Sequence, residues 1–194
     1  MITAEQVKQL RDKTQASMMD CKKALEEAGG DFNKAAEILL KRGIQIASKR
    51  AEKKAGEGIV ETYVHPNKKI GVLLELNCET DFVAKNEVFK ELAHDLAMHI
   101  AAMDPKYISP EDMPEDIIEK EREKLLEQYK DSGKPEKVTA EIVEGKLKKF
   151  SDEICLTEQF FIKDQEKRIK DLMNEIVGKL GEKIKIGRFI RFQI

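Results

Sequence analysis

The sequence contains no tryptophan, and among its 194 residues there are only three cysteines, three histidines and five prolines. Cys21, Cys78 and Cys155 are dispersed, odd in number and form no C-x-x-C pair. That spacing excludes a thiolate zinc ribbon and a disulfide framework, and it points to a reducing compartment. No stretch approaches the roughly 20 apolar residues that span a bilayer. The opening MITAEQVKQL carries an acid at position 5 and no apolar run, so a secretory leader is not expected. One-sided charge is missing too. With 35 basic against 37 acidic residues the net charge is -2, which gives no general reason to expect nucleic acid or acidic membranes as partners. What is plentiful is balanced charge, 37% of the chain, suited to solvated helix faces with ion pairs. A soluble, intracellular, cytoplasmic protein is the expectation.

Catalytic patterns are also lacking. His94 and His99 are five apart, about 140° round a helix, so one face cannot chelate a metal through both. His99 borders an apolar stripe and reads as a core-edge histidine. Gly56 and Gly58 are followed by Glu61 where a dinucleotide loop needs a third glycine, and the stretch precedes a strand where such a loop follows one. There is no G-x-x-x-x-G-K-[ST] and no G-x-S-x-G. No catalytic residue, metal site or cofactor is expected, and the chain does not read as an enzyme.

What is present divides in two. Residues 1–54 read as a three-helix bundle with a connector helix. Thr3 with Gln6 has capping-box spacing, Ser17 with Asp20 is a looser version, and Gly29-Gly30 precedes Asp31 as a natural N-cap. The basic run from Lys41 through Arg42, Lys49, Arg50, Lys53 and Lys54 is expected to extend the third helix towards Gly56 and Gly58. Residues 55–194 read as an α+β core. Strands are expected at about 58–65, 69–77 and 183–193, with Pro66-Asn67-Lys68 as a hairpin turn, and helices over 80–103, 114–130, 135–150 and 164–180. The fold class is therefore α+β: a helical bundle, then a small three-stranded antiparallel sheet covered by helices. The final apolar strand is either paired in the sheet or lies at a subunit contact.

Two features look like contacts. Met18 and Met19 open the second helix. Met18 aligns with Cys21 and Leu25, so it fits the core, whereas Met19 is rotated about 100° towards Lys22, Lys23 and Glu26. A thioether on a polar face suits a docking contact. The second is LNCETDFVAKN, residues 76–86, where a strand becomes a helix capped by Thr80. Asp81 in the first turn favours the helix dipole. Phe82 has two readings. The stripe 89-92-96-100, carried back a turn, makes it core; an exposed ring beside a carboxylate makes it a wedge into another protein.

LRDKTQASMMDCKKAL (10–25) and LNCETDFVAKN (76–86) resemble the two signature stretches of the elongation factor Ts family. LAMHIAAMDPKYI (96–108) and EGKLKKFSDEICLTEQFF (144–161) are similar to further family segments, and the length matches the short form. The resemblance implies a bundle like a ubiquitin-associated domain, and a role as nucleotide exchange factor for the GTPase elongation factor Tu. It implies that Thr80, Asp81, Phe82 and Val83 form the segment entering near that partner's magnesium and nucleotide. Arg11, Met18, Met19 and Lys22 match the docking surface of the helical module, and His65 in Tyr-x-His matches a core contact more loosely. It also implies a homodimer. Three departures stand out: Gln15 and Ser17 replace family glycines, Phe160 replaces a proline, and no C-terminal cysteine can bridge a dimer. Two rival classes remain, an adaptor for ubiquitin-like folds resting on the bundle alone, and a ribosome- or RNA-associated protein resting on the basic run.

Overall fold

The computed structural model describes residues 2–14, 16–130 and 135–194. Local capping sets the first three helices. Thr3 N donates to Gln6 Oε1 at 2.9 Å and Gln6 N donates to Thr3 Oγ1 at 3.2 Å, a reciprocal box that starts α1 (Ala4–Thr14). The Ser17 hydroxyl accepts from Asp20 N and opens α2 (Met18–Glu27). Ser17 sits at φ -63, ψ 150, so this position needs none of glycine's left-handed freedom; Gln15 lies outside the described residues. Asp31 accepts from Asn33 N and Lys34 N to start α3 (Phe32–Lys49). Val7, Leu10, Cys21, Ala24, Leu25 and Ala35 are buried together, with Phe32, Ala36 and Leu39 against them.

The connector departs from expectation. α3 stops at Lys49, short of the glycines, and the chain turns through residues 50–53. Helix propensity yields to tertiary partners there: Arg50 is drawn to Glu79, and the carbonyls of Ala51 and Lys53 accept from Lys183 Nζ.

Strands β1 (Glu57–Val64), β2 (Ile70–Cys78) and β5 (Lys185–Gln193) form an antiparallel sheet in the order β1-β2-β5. Lys68, at φ 60, completes the hairpin turn, where Lys69 N donates to Asn67 Oδ1. Alternation puts Val72, Leu74, Leu76 and Ile186 on a buried inner face. Glu61, Tyr63 and Arg191 share that face and meet α5 (Glu87–Met103) through His94 and the Ala101 carbonyl. Phe89, Leu92, Ala93, Leu96, Ala97, His99 and Ile100 are the buried stripe of α5. The outer face keeps Val60, Val64, Leu73, Ile190 and Phe192 exposed.

Two of the expected helices are corrected. The span 80–103 is a single turn, α4 (Asp81–Ala84), then a break, then α5, which restarts where Asn86 Oδ1 accepts from Val88 N at 2.9 Å. The span 164–180 begins as a strand: β4 (Asp164–Arg168) pairs with β3 (Phe160–Phe161), and α8 runs Ile169–Leu180. Asp-Gln-Glu-Lys-Arg carries no apolar stripe to bury as a helix. Arg168 instead holds both Asp152 oxygens, at 2.8 and 3.0 Å, and the Glu158 carbonyl at 2.7 Å. Among the described residues there are thus eight α-helices, the three-stranded sheet and a second, two-stranded one.

The chain forms two compact units, one holding residues up to Ala101 with Lys170–Ile194, the other Ala102–Ile169. In the first, α3 crosses α8 at Gly43 and Gly178. A Cβ on Gly43 would stand 2.5 Å from the Asn174 carbonyl oxygen, so the crossing requires glycine. The second contains α6 (Glu115–Tyr129) and α7 (Glu136–Ile154), sharing buried Leu125, Val143 and Leu147. No described helix is long and apolar enough to cross a membrane. The three cysteines are free and buried, and burial pushes each thiol above its usual range.

Candidate functional site

The turn after β2 is built from its cap outward. Thr80, at φ -129, ψ 154, accepts from Val83 N through its hydroxyl, while Ala84 N and Lys85 N donate to the carbonyls of Thr80 and Asp81. Val83 and Ala84 are buried, and so is Cys78, whose Sγ donates to the Thr80 carbonyl at 3.1 Å. The same single turn therefore points its other side outward. Phe82 is 85% exposed, and Asp81 beside it is exposed as well. The core reading of Phe82 fails because α4 and α5 are not one helix, so the stripe of α5 does not project back through residue 82.

Lys85 Nζ lies 2.7 Å from Asp81 Oδ2. This ammonium holds the Asp81 carboxyl below the ordinary carboxylate range, and the pairing raises Lys85 in return. Asp81 is thus ionised, solvated and held by one flexible partner. Beneath it the contacts are firmer. Glu182 accepts from Thr80 N at 3.0 Å and from Thr80 Oγ1 at 2.7 Å. Glu79 accepts from Lys183 N at 2.7 Å, and Arg50 Nη1 lies 2.8 Å from both its oxygens. The Lys183 amide first, and the Arg50 guanidinium second, keep the Glu79 carboxyl below its usual range.

The other expected residues fall elsewhere. Arg11 is exposed on α1; on α2, Met18 is 43% exposed, Met19 64%, and Lys22 pairs loosely with Glu26 at 3.9 Å. Met18 is therefore not core, although Cys21 and Leu25, in line with it, are fully buried. His65 lies at the far end of the β1-β2 hairpin from Thr80, about 25 Å along the strands. Its Nδ1 is 3.3 Å from the Tyr63 hydroxyl. The structure gathers Thr80, Asp81, Phe82 and Val83 into one turn, and places Arg11, Met18, Met19 and Lys22 on the bundle.

Sequence reasoning missed Arg50, Glu79, Glu182 and Lys183, whose pairings join positions 29 to over 100 residues apart. No local pattern marks such contacts. Among the described residues, no group of three His, Cys, Asp or Glu side chains is placed to hold a metal ion.

The family model described as Elongation factor TS matches residues 2–194. The chain is 58% identical over 194 residues to Elongation factor Ts of Thermosipho melanesiensis, covering 100% of this chain and 99% of that one. It is 58% identical over 193 residues to Elongation factor Ts of Thermodesulfovibrio yellowstonii, covering 100% and 96%. To the protein of the same name from Fervidobacterium nodosum it is 55% identical over 193 residues, covering 100% and 98%.

Proposed function

The chain belongs to the elongation factor Ts family, and from that premise we propose that it is the guanine nucleotide exchange factor of elongation factor Tu in translation elongation. It binds the GDP-loaded GTPase, disturbs the magnesium and nucleotide site, and promotes GDP release. The observation that carries this reading is Phe82, 85% exposed next to an ionised Asp81 on a turn anchored from below. Magnesium bridges the phosphates of GDP to a GTPase, so displacing it weakens the nucleotide. A partner that prefers the empty, distorted GTPase must weaken GDP by the same factor that GDP weakens the partner. Burying the Phe82 ring in a pocket supplies about 1.5–3 kcal/mol towards that distortion, one to two decades. The remainder falls to the helical module.

That module, residues 1–54, we take as ubiquitin-associated-like and as docking through Arg11, Met18, Met19 and Lys22, with His65 a further contact from the core of 55–194. No covalent step is involved, so the protein is not an enzyme, needs no cofactor and works in the cytoplasm without a membrane or nucleic acid partner. The basic run gives little support to an RNA role, because Arg50 is engaged by Glu79 and Arg42 lies 2.5 Å from Glu27. Replacing Asp81 by alanine is expected to reduce stimulated GDP release more than it weakens association with elongation factor Tu. Titration of complex formation alongside release kinetics checks this, and equal losses in both speak against a magnesium-directed role.

We also take the protein to be a homodimer. The outer sheet face exposes Val60 (67%), Phe192 (63%), Val64, Leu73 and Ile190 around the Glu75–Arg188 pair, and large apolar side chains gathered on one exposed face suit a protein contact. Sedimentation is expected to give twice the chain mass, and Phe192→Glu to give the single mass; a wild-type monomer rejects the dimer.

A further inference from the structure

We propose that Glu79 and Glu182 are positioning residues, which fix the turn bearing Asp81 and Phe82 at its insertion angle and tie it to the end of α3. The inference rests on the exchange reading above and extends it to side chains at the base of the exposed turn. A one-turn helix has no stability of its own, because nucleation fixes several residues for one hydrogen bond. Something else must hold α4, and its cap shows what does. Thr80 has two donors, its amide and its hydroxyl, and Glu182 takes both, at 3.0 and 2.7 Å. That leaves the hydroxyl lone pairs for Val83 N, so cap and clamp reinforce each other.

One residue earlier, Glu79 does the same for the strand end. It receives the Lys183 amide at 2.7 Å and Arg50 Nη1 at 2.8 Å. Arg50 is the residue that closes α3, and the Lys183 ammonium reaches back to the carbonyls of Ala51 and Lys53. Three stretches of chain, 50–53, 79–80 and 182–183, are thereby knotted at the base of the turn. The turn cannot swing without breaking charge-assisted bonds, and it keeps a fixed placement with respect to α3. A wedge held in this way spends its contact energy on the partner and loses little in being ordered.

The test is stopped-flow release of labelled GDP from elongation factor Tu, at increasing concentrations of wild type, Glu182→Ala, Glu182→Gln and Arg50→Ala, with unfolding midpoints measured alongside. Glu182→Ala is expected to lower the saturating release rate about 5- to 20-fold, while half-saturation shifts less than about threefold, because the helical module still docks. Arg50→Ala is expected to behave alike. Glu182→Gln, nearly the same shape with one accepting oxygen, should fall between, and it carries the test if the alanine variant does not fold. A merely structural role moves rate, half-saturation and unfolding midpoint together, and that result overturns the proposal. So does a wild-type rate from Glu182→Ala with stimulation intact in the wild type, which leaves the exchange reading standing. A wild type that does not accelerate release overturns the exchange reading and the positioning role with it.

Discussion

Phe82→Ala is expected to leave the unfolding midpoint unchanged and to slow stimulated GDP release about 10- to 100-fold. The two halves of that result have one cause. At 85% exposure the ring contributes almost nothing to the core, so its removal leaves no cavity in the free protein. Its apolar area becomes useful only in a partner pocket, where full burial is worth about 1.5–3 kcal/mol. Val83 and Ala84, buried on the other side of the turn, and Thr80 at the cap are untouched by the change, so the turn itself persists. Equilibrium unfolding and stopped-flow release on the same preparation check both halves. An unchanged release rate removes Phe82 from the mechanism; a lowered midpoint means the ring is not free.

Phe89→Ala, the same chemical deletion seven residues on, has the opposite expected effect: a loss of about 3–5 kcal/mol of stability, read by chemical denaturation. Phe89 is fully buried on α5, within the stripe it forms with Leu92, Ala93, Leu96 and Ile100. Truncation there removes the transfer free energy of the ring and leaves a hole that close-packed neighbours only partly fill. Activity falls only as the folded fraction falls. Two phenylalanines in one short stretch thus separate contact from core, and a Phe89→Ala variant of wild-type stability contradicts the packing described here.

The pair also shows how far the sequence could be read. The caps at Thr3, Ser17, Asp31 and Thr80 were legible because capping is local, an oxygen reaching an amide two or three residues on. The hairpin at Pro66-Asn67-Lys68 and the inward face of Val72, Leu74 and Leu76 followed from turn chemistry and period two. Phe82 was ambiguous because periodicity places a residue only if the helix is continuous. Asn86, capping a new helix from within an apparent one, broke that continuity. The strand Asp164–Arg168 went unread because its conformation is imposed by pairing with Phe160–Phe161 and by Arg168 gripping Asp152, neither visible in a local window. Likewise α3 ends at Lys49 where long-range partners of Arg50 and Ala51 outweigh helix propensity.

In functional terms, Asp81 and Phe82 could be picked out as an acid–aromatic pair, but Glu79 and Glu182 look like two more carboxylates in a chain with 37 acidic residues. Only the fold distinguishes them, by bringing 79–80 to 182–183. The exposed tip lies within one short family-like stretch, whereas the contacts that hold it in place join residues 29 to over 100 positions apart and exist only in the folded chain.

Exchange activity itself is read by mixing elongation factor Tu carrying fluorescent GDP with excess unlabelled nucleotide in magnesium buffer, with and without this protein. Release is expected to accelerate with protein concentration and then saturate. A release rate that stays at the unassisted value at every concentration means that the protein is not an exchange factor for this GTPase.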